Sequence, residues 1–143
     1  MTTSITRQEA MTRLLHGVAD DVGAYDALLL LLEEQFDAAL HHQSARLAAL
    51  ADAVIAAVEA IDLRRRQRIA LVNALLGPAG AMSQVFGLLQ GVSRATLETN
   101  WLALEQKVLE CKRRNTRNSD LLTDQYSIMQ RVLHGEDQTY APG

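Results

Sequence analysis

Cysteine, proline and aromatic side chains are all scarce in this chain, and each scarcity removes a class of protein. One cysteine in 143 residues cannot form an internal disulfide and suits a reducing compartment. Two prolines and eight glycines leave long stretches with nothing to break a helix. Aromatic residues make up 4% against 48% apolar overall, and the richness in Leu and Ala favours helix over sheet. No uninterrupted apolar run is longer than that from Ala27 to Leu32, which is far short of a membrane span. The opening MTTSITRQEA has neither an apolar core nor a small-residue cleavage site, so no signal peptide is expected. A net charge of −3 and a pI near 5.8 argue against a general nucleic-acid binder, which is normally basic. These bounds predict one cytoplasmic domain over residues 1–143.

Catalytic signals are missing as well. There is no Gly-rich phosphate loop, no zinc-ligand spacing and no nucleophile in a recognisable elbow. Carboxylates are spread along helix faces rather than paired in apolar surroundings. The adjacent His41 and His42 point apart on a helix or turn, and no Cys or carboxylate completes a ligand set at a recognisable spacing. The chain reads as a non-enzyme with no metal and no cofactor.

What is present is helical periodicity. Residues 6–40 carry Leu15, Val18, Val22, Tyr25, Leu29, Leu32, Phe36 and Ala39 at alternating spacings of three and four, one apolar seam on a helix. Thr6 followed by Glu9 suits a capping box. The opposite face is acidic, with Glu9, Asp20, Asp21, Asp26, Glu33, Glu34 and Asp37 against Arg7 and Arg13. The pattern breaks at 41–43, which is either a tight turn with Ser44 as N-cap or a phase slip in one continuous helix. A second helix over 44–76 has its seam at Leu47, Leu50, Val54, Ala57 and Ile61, continued with drift by Ile69, Val72 and Leu76. Its Arg64-Arg65-Arg66-Gln67-Arg68 cluster, and the later Lys112-Arg113-Arg114 with Arg117, are expected to pair with the acidic first helix rather than with nucleic acid.

Four glycines and one proline fall between Gly77 and Gly91, the strongest punctuation in the chain. Residues 77–92 therefore read as a connection holding a short helix, Met82 to Gln90. The last helix is expected over 93–134, capped by Ser93 or Thr96, with 135–143 a flexible tail. Trp101, Val108, Asn115, Leu122 and Met129 recur every seven residues, and Leu97, Leu104, Cys111, Asn118, Gln125 and Val132 complete the 3-4 alternation. Cys111 on this seam reads as an inert core thiol. Asn115 and Asn118 put two amides on consecutive core-type positions, and a buried amide without partners costs ~1–3 kcal/mol. Either they satisfy each other or the facing helices inside a bundle, or this part of the helix stays open for a partner. The fold expected is an all-α antiparallel bundle of long amphipathic helices, three long and one short, running up-down-up.

Trp101, the Asn115-x-x-Asn118 pair, Leu121-Leu122 and the tail Tyr140-Ala141-Pro142-Gly143 together resemble the C-terminal signature of the FlgN family, flagellar type III export chaperones for hook-filament junction proteins. In that family a Trp opens the last helix, an Asn-x-x-Asn precedes a Leu-Leu pair, and a tyrosine stands in a Gly-containing tail. Ala141 departs from the usual glycine. The resemblance covers roughly the last third of the chain. It implies a cytosolic chaperone that binds the amphipathic terminal helices of hook-associated (junction) proteins, prevents their premature assembly and delivers them to the export gate, meeting the membrane only through the export apparatus.

Leu121, Leu122, Ile128, Met129, Val132 and Leu133 are too many apolar residues for one narrow seam, so some must face outward or await a partner. With Asn115 and Asn118 they form the candidate client-binding surface. The resemblance assigns Tyr140 to docking on the cytoplasmic domain of the export gate. A structural adaptor or oligomerising bundle is the main alternative, since its seams would look the same, and a small nucleic-acid-binding bundle is the third. A homo-oligomer is compatible with each.

Overall fold

The computed structural model describes residues 5–140, with side chains through residue 136. Helices account for nearly all of it, in the order α1 (Arg7–Leu40), α2 (Ser44–Leu76), α3 (Met82–Phe86) and α4 (Gly91–Tyr140), and no strand occurs among the described residues. The all-α, three-long-plus-one-short architecture is the one the periodicity predicts.

Local chemistry sets the helix ends. Thr6 caps α1, its Oγ1 accepting the Glu9 N–H at 3.1 Å, which satisfies one of the first-turn donors. The 41–43 break is a turn, not a phase slip. Gln43 N–H bonds the Ala38 carbonyl at 2.9 Å and His42 N–H bonds Ala39 at 3.3 Å, the paired closure of a Schellman turn. His42 takes the left-handed position, φ 53°, where glycine is usual. This closure draws in Gln43, so Ser44 is already helical and is not the cap expected; Gln43 precedes it with no side-chain cap bond. α3 stops at Phe86 instead of Gln90, because Leu88 and Leu89 bond back to Val85 and Phe86 in a short turn. α4 begins at Gly91, whose φ of 62° suits a residue without Cβ, so neither Ser93 nor Thr96 caps it. It then continues through Gly135 to Tyr140, six residues past the expected end.

α1 is the spine. It packs along α2 on one side and α4 on the other, while α2 and α4 are joined at one end by α3 and do not pack along each other. The chain goes up, down and up again, so α1 and α4 are parallel. The main core lies at the α3 end, where Leu14 and Val18 meet Val72, Leu75, Val85, Leu97 and Leu104. A smaller cluster of Leu28, Leu32 and Cys111, with Val54, Ala57 and Ile61 against it, lies nearer the α1–α2 turn.

Asp21, read from the sequence as part of a solvated acidic face, is buried instead at 4% exposure. The arginine cluster explains it. Arg68 Nη1 reaches Asp21 Oδ2 at 2.9 Å and Arg64 Nη1 reaches Oδ1 at 3.5 Å, compensating a carboxylate that could not be buried alone. Arg65 and Arg66 pair with Asp62 on their own helix. Arg68 also lies over Trp101, 5.2 Å from the ring centroid, and so ties α2 to α4.

Candidate functional site

A series of polar contacts fixes α4 against α1 and shows where that support ends. Lys107 Nζ pairs with Asp26 at 2.5 Å, Arg114 Nη1 donates to the Leu29 carbonyl at 3.3 Å, Asn118 Nδ2 donates to the Leu32 carbonyl at 2.8 Å, and Gln125 Nε2 donates to the Ala39 carbonyl at 2.9 Å. Each α4 residue thus meets an α1 residue some eighty-odd positions earlier, and α1 ends at Leu40. Beyond Gln125 there is no α1 left to pack on. The α1–α2 turn lies at this level too, so α4 from Tyr126 to Tyr140 projects past the bundle for ~22 Å.

The two asparagines part company here. Asn118 is 1% exposed and fully bonded: its amide donates to Leu32 and to Gln35 Oε1 at 2.9 Å, and its Oδ1 accepts from Arg117. Asn115 is exposed, contrary to its expected place on the seam. The cause is the number of neighbours: α1 alone covers this part of α4, and it closes over the Leu97–Leu104–Cys111–Asn118 line, while Asn115, on the adjacent Trp101–Val108 line, falls outside it. Leu121 and Leu122 are half-buried. Arg117 sits over the Phe36 ring at 3.8 Å and pairs with Glu33 at 3.0 Å, clamping α4 just before the support ends.

On the projecting segment the apolar side chains are bare. Tyr126 is 62% exposed, Ile128 52%, Met129 55%, Val132 58% and Leu133 52%, values ordinary for lysine but not for five apolar neighbours on one helix. At 100° per residue they fall on two adjacent stripes. One is Leu122, Tyr126, Met129 and Leu133; the other is Leu121, Gln125, Ile128 and Val132. Both are spaced four, three, four. Thr123, Asp124, Ser127, Gln130, Arg131 and His134 take the other side. Together the stripes make an apolar face ~160° wide, broader than one coiled-coil seam. It looks toward the volume that α1 would fill if it continued.

The structure therefore brings Ile128, Met129, Val132 and Leu133 together on an open face, seats Leu121 and Leu122 at its root, and places Asn118 inside the bundle and Asn115 outside it. Tyr126 belongs to this face and was missed by sequence reasoning, although its spacing to Leu122 and Met129 signals it. The side chain of Tyr140 lies outside the described residues; its backbone closes α4.

Titratable groups nearby are structural in character. Burial pushes the Cys111 thiol above its ordinary range, and burial likewise raises Tyr25, against an opposing pull from Arg68. No group of His, Cys, Asp and Glu among the described residues is arranged to hold a metal ion, and no described helix is long and apolar enough to cross a membrane.

Compared with known protein families, residues 10–135 match the family model described as FlgN protein. No curated protein and no solved structure matches the chain.

Proposed function

The chain belongs to the FlgN family, matched over most of its length, and on that premise we propose that it is a cytosolic flagellar export chaperone whose projecting α4 segment captures the amphipathic terminal helices of hook-associated junction proteins. Family membership supports the general role in flagellar export. The observation that carries the finer reading is the bare two-stripe face beyond Gln125.

Such a face suits a helix laid into the position α1 vacates. The incoming helix would pack on both stripes at once and meet Leu40, itself 49% exposed, at the α1–α2 turn. Covering five half-exposed apolar side chains contributes roughly 5 kcal/mol before association costs. That gives a reversible grip rather than a permanent one, as a carrier requires. A client helix so covered has its own apolar stripe occupied and cannot coil on its assembly partners. No nucleotide, metal or cofactor enters this scheme.

Tyr140, at the far end of the same helix, is proposed to dock the loaded chaperone on the cytoplasmic domain of the export gate. The membrane is met only through that apparatus. Asn118 supports the client face from inside the bundle rather than touching the client, and Asn115 lies on the exposed surface beside it.

Calorimetry with a purified junction protein tests the proposal. Ile128→Asp with Leu133→Asp is expected to weaken client affinity at least a hundredfold while the far-UV helical signal stays within a few per cent of wild type. Unchanged affinity would reject this face. Loss of a homodimer by sedimentation, with client affinity unchanged, would favour the oligomerising-module reading instead.

A further inference from the structure

A second groove lies ~45 Å from the middle of the client face, measured along the bundle. It runs between α1 and α2 on the side away from α4, with a volume of about 580 Å³. Leu71 is half-buried along it, with Leu14 and Val18 buried beneath, while Gly17 and Ala70 near its middle and Ala74 at its end carry no bulky side chain into it. No atom lies within 4 Å of where a Cβ on Gly17 would stand, so this glycine faces open space. Nothing in the proposed client capture uses these residues.

The charge of the lining points to the occupant. Three arginines and one aspartate line the groove, a net positive surface in a chain of net charge −3. The aspartate is already committed: Asp21 is held by Arg68 and Arg64. Arg64 still leaves 42% of its side chain exposed. Arg13 makes no ion pair among the described residues, and it stands on the opposite wall from Arg64. Two cations thus flank an apolar trough that stretches along α2 from Arg64 to Ala74, ~15 Å or three helical turns. The trough is bounded by two antiparallel helices, and small residues at its centre allow a third backbone to approach closely.

We infer that this groove is a docking site for an acidic amphipathic helix of a second protein partner, one with an apolar stripe of about three turns flanked by Glu or Asp. Its apolar stripe covers the trough, and its carboxylates meet Arg13 on one wall and Arg64 on the other. The separation from the α4 face lets both sites be filled at once, so the chaperone can hold a client while a second protein engages the bundle. Carboxylate pairing makes the contact salt-sensitive.

Fluorescence anisotropy on the full chain tests this with a labelled 18-residue Ala/Leu helix carrying glutamates along both flanks of its apolar stripe, against the same peptide with lysines in place of the glutamates. The acidic peptide is expected to bind saturably and the lysine peptide not to. Gly17→Leu, which fills the trough and raises helix propensity, and Arg13→Glu are each expected to weaken binding at least tenfold with the thermal melt preserved. Ile128→Asp is expected to leave it unchanged, which separates this site from the client face. The inference is overturned by any of four results: no saturable binding of the acidic peptide, equal binding of the lysine peptide, wild-type binding by both groove variants, or loss of binding in Ile128→Asp. Self-association abolished by Gly17→Leu would make the occupant a second copy and would overturn it as well.

Discussion

The side-chain amide of Asn118 donates to the main-chain carbonyl of Leu32 at 2.8 Å, joining α4 to α1 through a polar bond inside an apolar interface. The same amide reaches Gln35, and its oxygen is held by Arg117, so every polar atom of a fully buried side chain is used. Networks of this kind favour one alignment of two helices over neighbouring ones, because a slip by one turn strands each member. The alignment matters here, since it fixes how much of α4 projects beyond α1.

Asn118→Ala is expected to cost about 1–3 kcal/mol in urea denaturation, the usual penalty for stranding buried partners. Asn115→Ala, on the exposed surface, is expected to stay within ~0.5 kcal/mol of wild type. Equal losses at the two positions would mean that both amides are buried together.

His42 is expected to yield a gain. It holds the left-handed position of the α1–α2 turn at φ 53°, which costs an L-residue with a Cβ ~1 kcal/mol or more. His42→Gly removes that cost and loses part of the gain to the greater freedom of glycine in the unfolded chain. A net stabilisation of about 0.5–1 kcal/mol should appear as a higher midpoint in chemical denaturation. A lower midpoint would mean that the imidazole makes a compensating contact.

Helix number, the break at 41–43 and the burial of Cys111 were legible in the sequence because each rests on local periodicity or on the polarity of one residue. The pairing of Arg64 and Arg68 with the first helix was legible from charge, whereas Arg65 and Arg66 pair within α2 instead. The burial of Asp21 was not legible, since a lone aspartate reads as solvated until its partners from another helix are known. Asn115 was misplaced for a related reason. A heptad register treats every seam position alike, and only the count of neighbouring helices says which line is covered. The open face was partly legible, as an excess of apolar residues over what one seam can hold. Its root at Gln125 was not, because it depends on where another helix stops.

Cys111 supplies a pH prediction. Burial raises its folded pKa above the ordinary thiol value, so the folded state favours the neutral thiol. The contribution to stability is complete below the unfolded thiol's pKa of ~8.5 and diminishes as pH rises through it, because the unfolded chain releases its proton first. The thermal midpoint is expected to fall more steeply above that pH in wild type than in Cys111→Ala. Disulfide-exchange labelling at pH 8 should run at least a hundredfold slower than in guanidinium. Fast labelling of the folded protein would show that the α1–α4 seam is open at Cys111.

Tyr140 gives the prediction that most separates a carrier from a simple binder. In sequence it stands seven residues after Leu133, and the backbone there is still helical, so the residue belongs to the same projecting helix as the client face and not to a separate tail beginning at Gly135. A client packed on the two stripes would hold that helix in one course, and the cost of ordering its end would then already be met when the gate binds. Gate affinity is therefore expected to be higher with client bound than without. Replacing a tyrosine anchor by alanine at an interface centre costs ~2 kcal/mol or more, so Tyr140→Ala should weaken gate binding at least tenfold. Client affinity and helical content should stay at wild-type levels, because the residues proposed to grip the client lie between Leu121 and Leu133. The measurement is binding of the purified gate domain to the chaperone–client complex, wild type against Tyr140→Ala. Equal affinities would remove Tyr140 from gate docking, and a loss of client affinity would instead assign it to the client face.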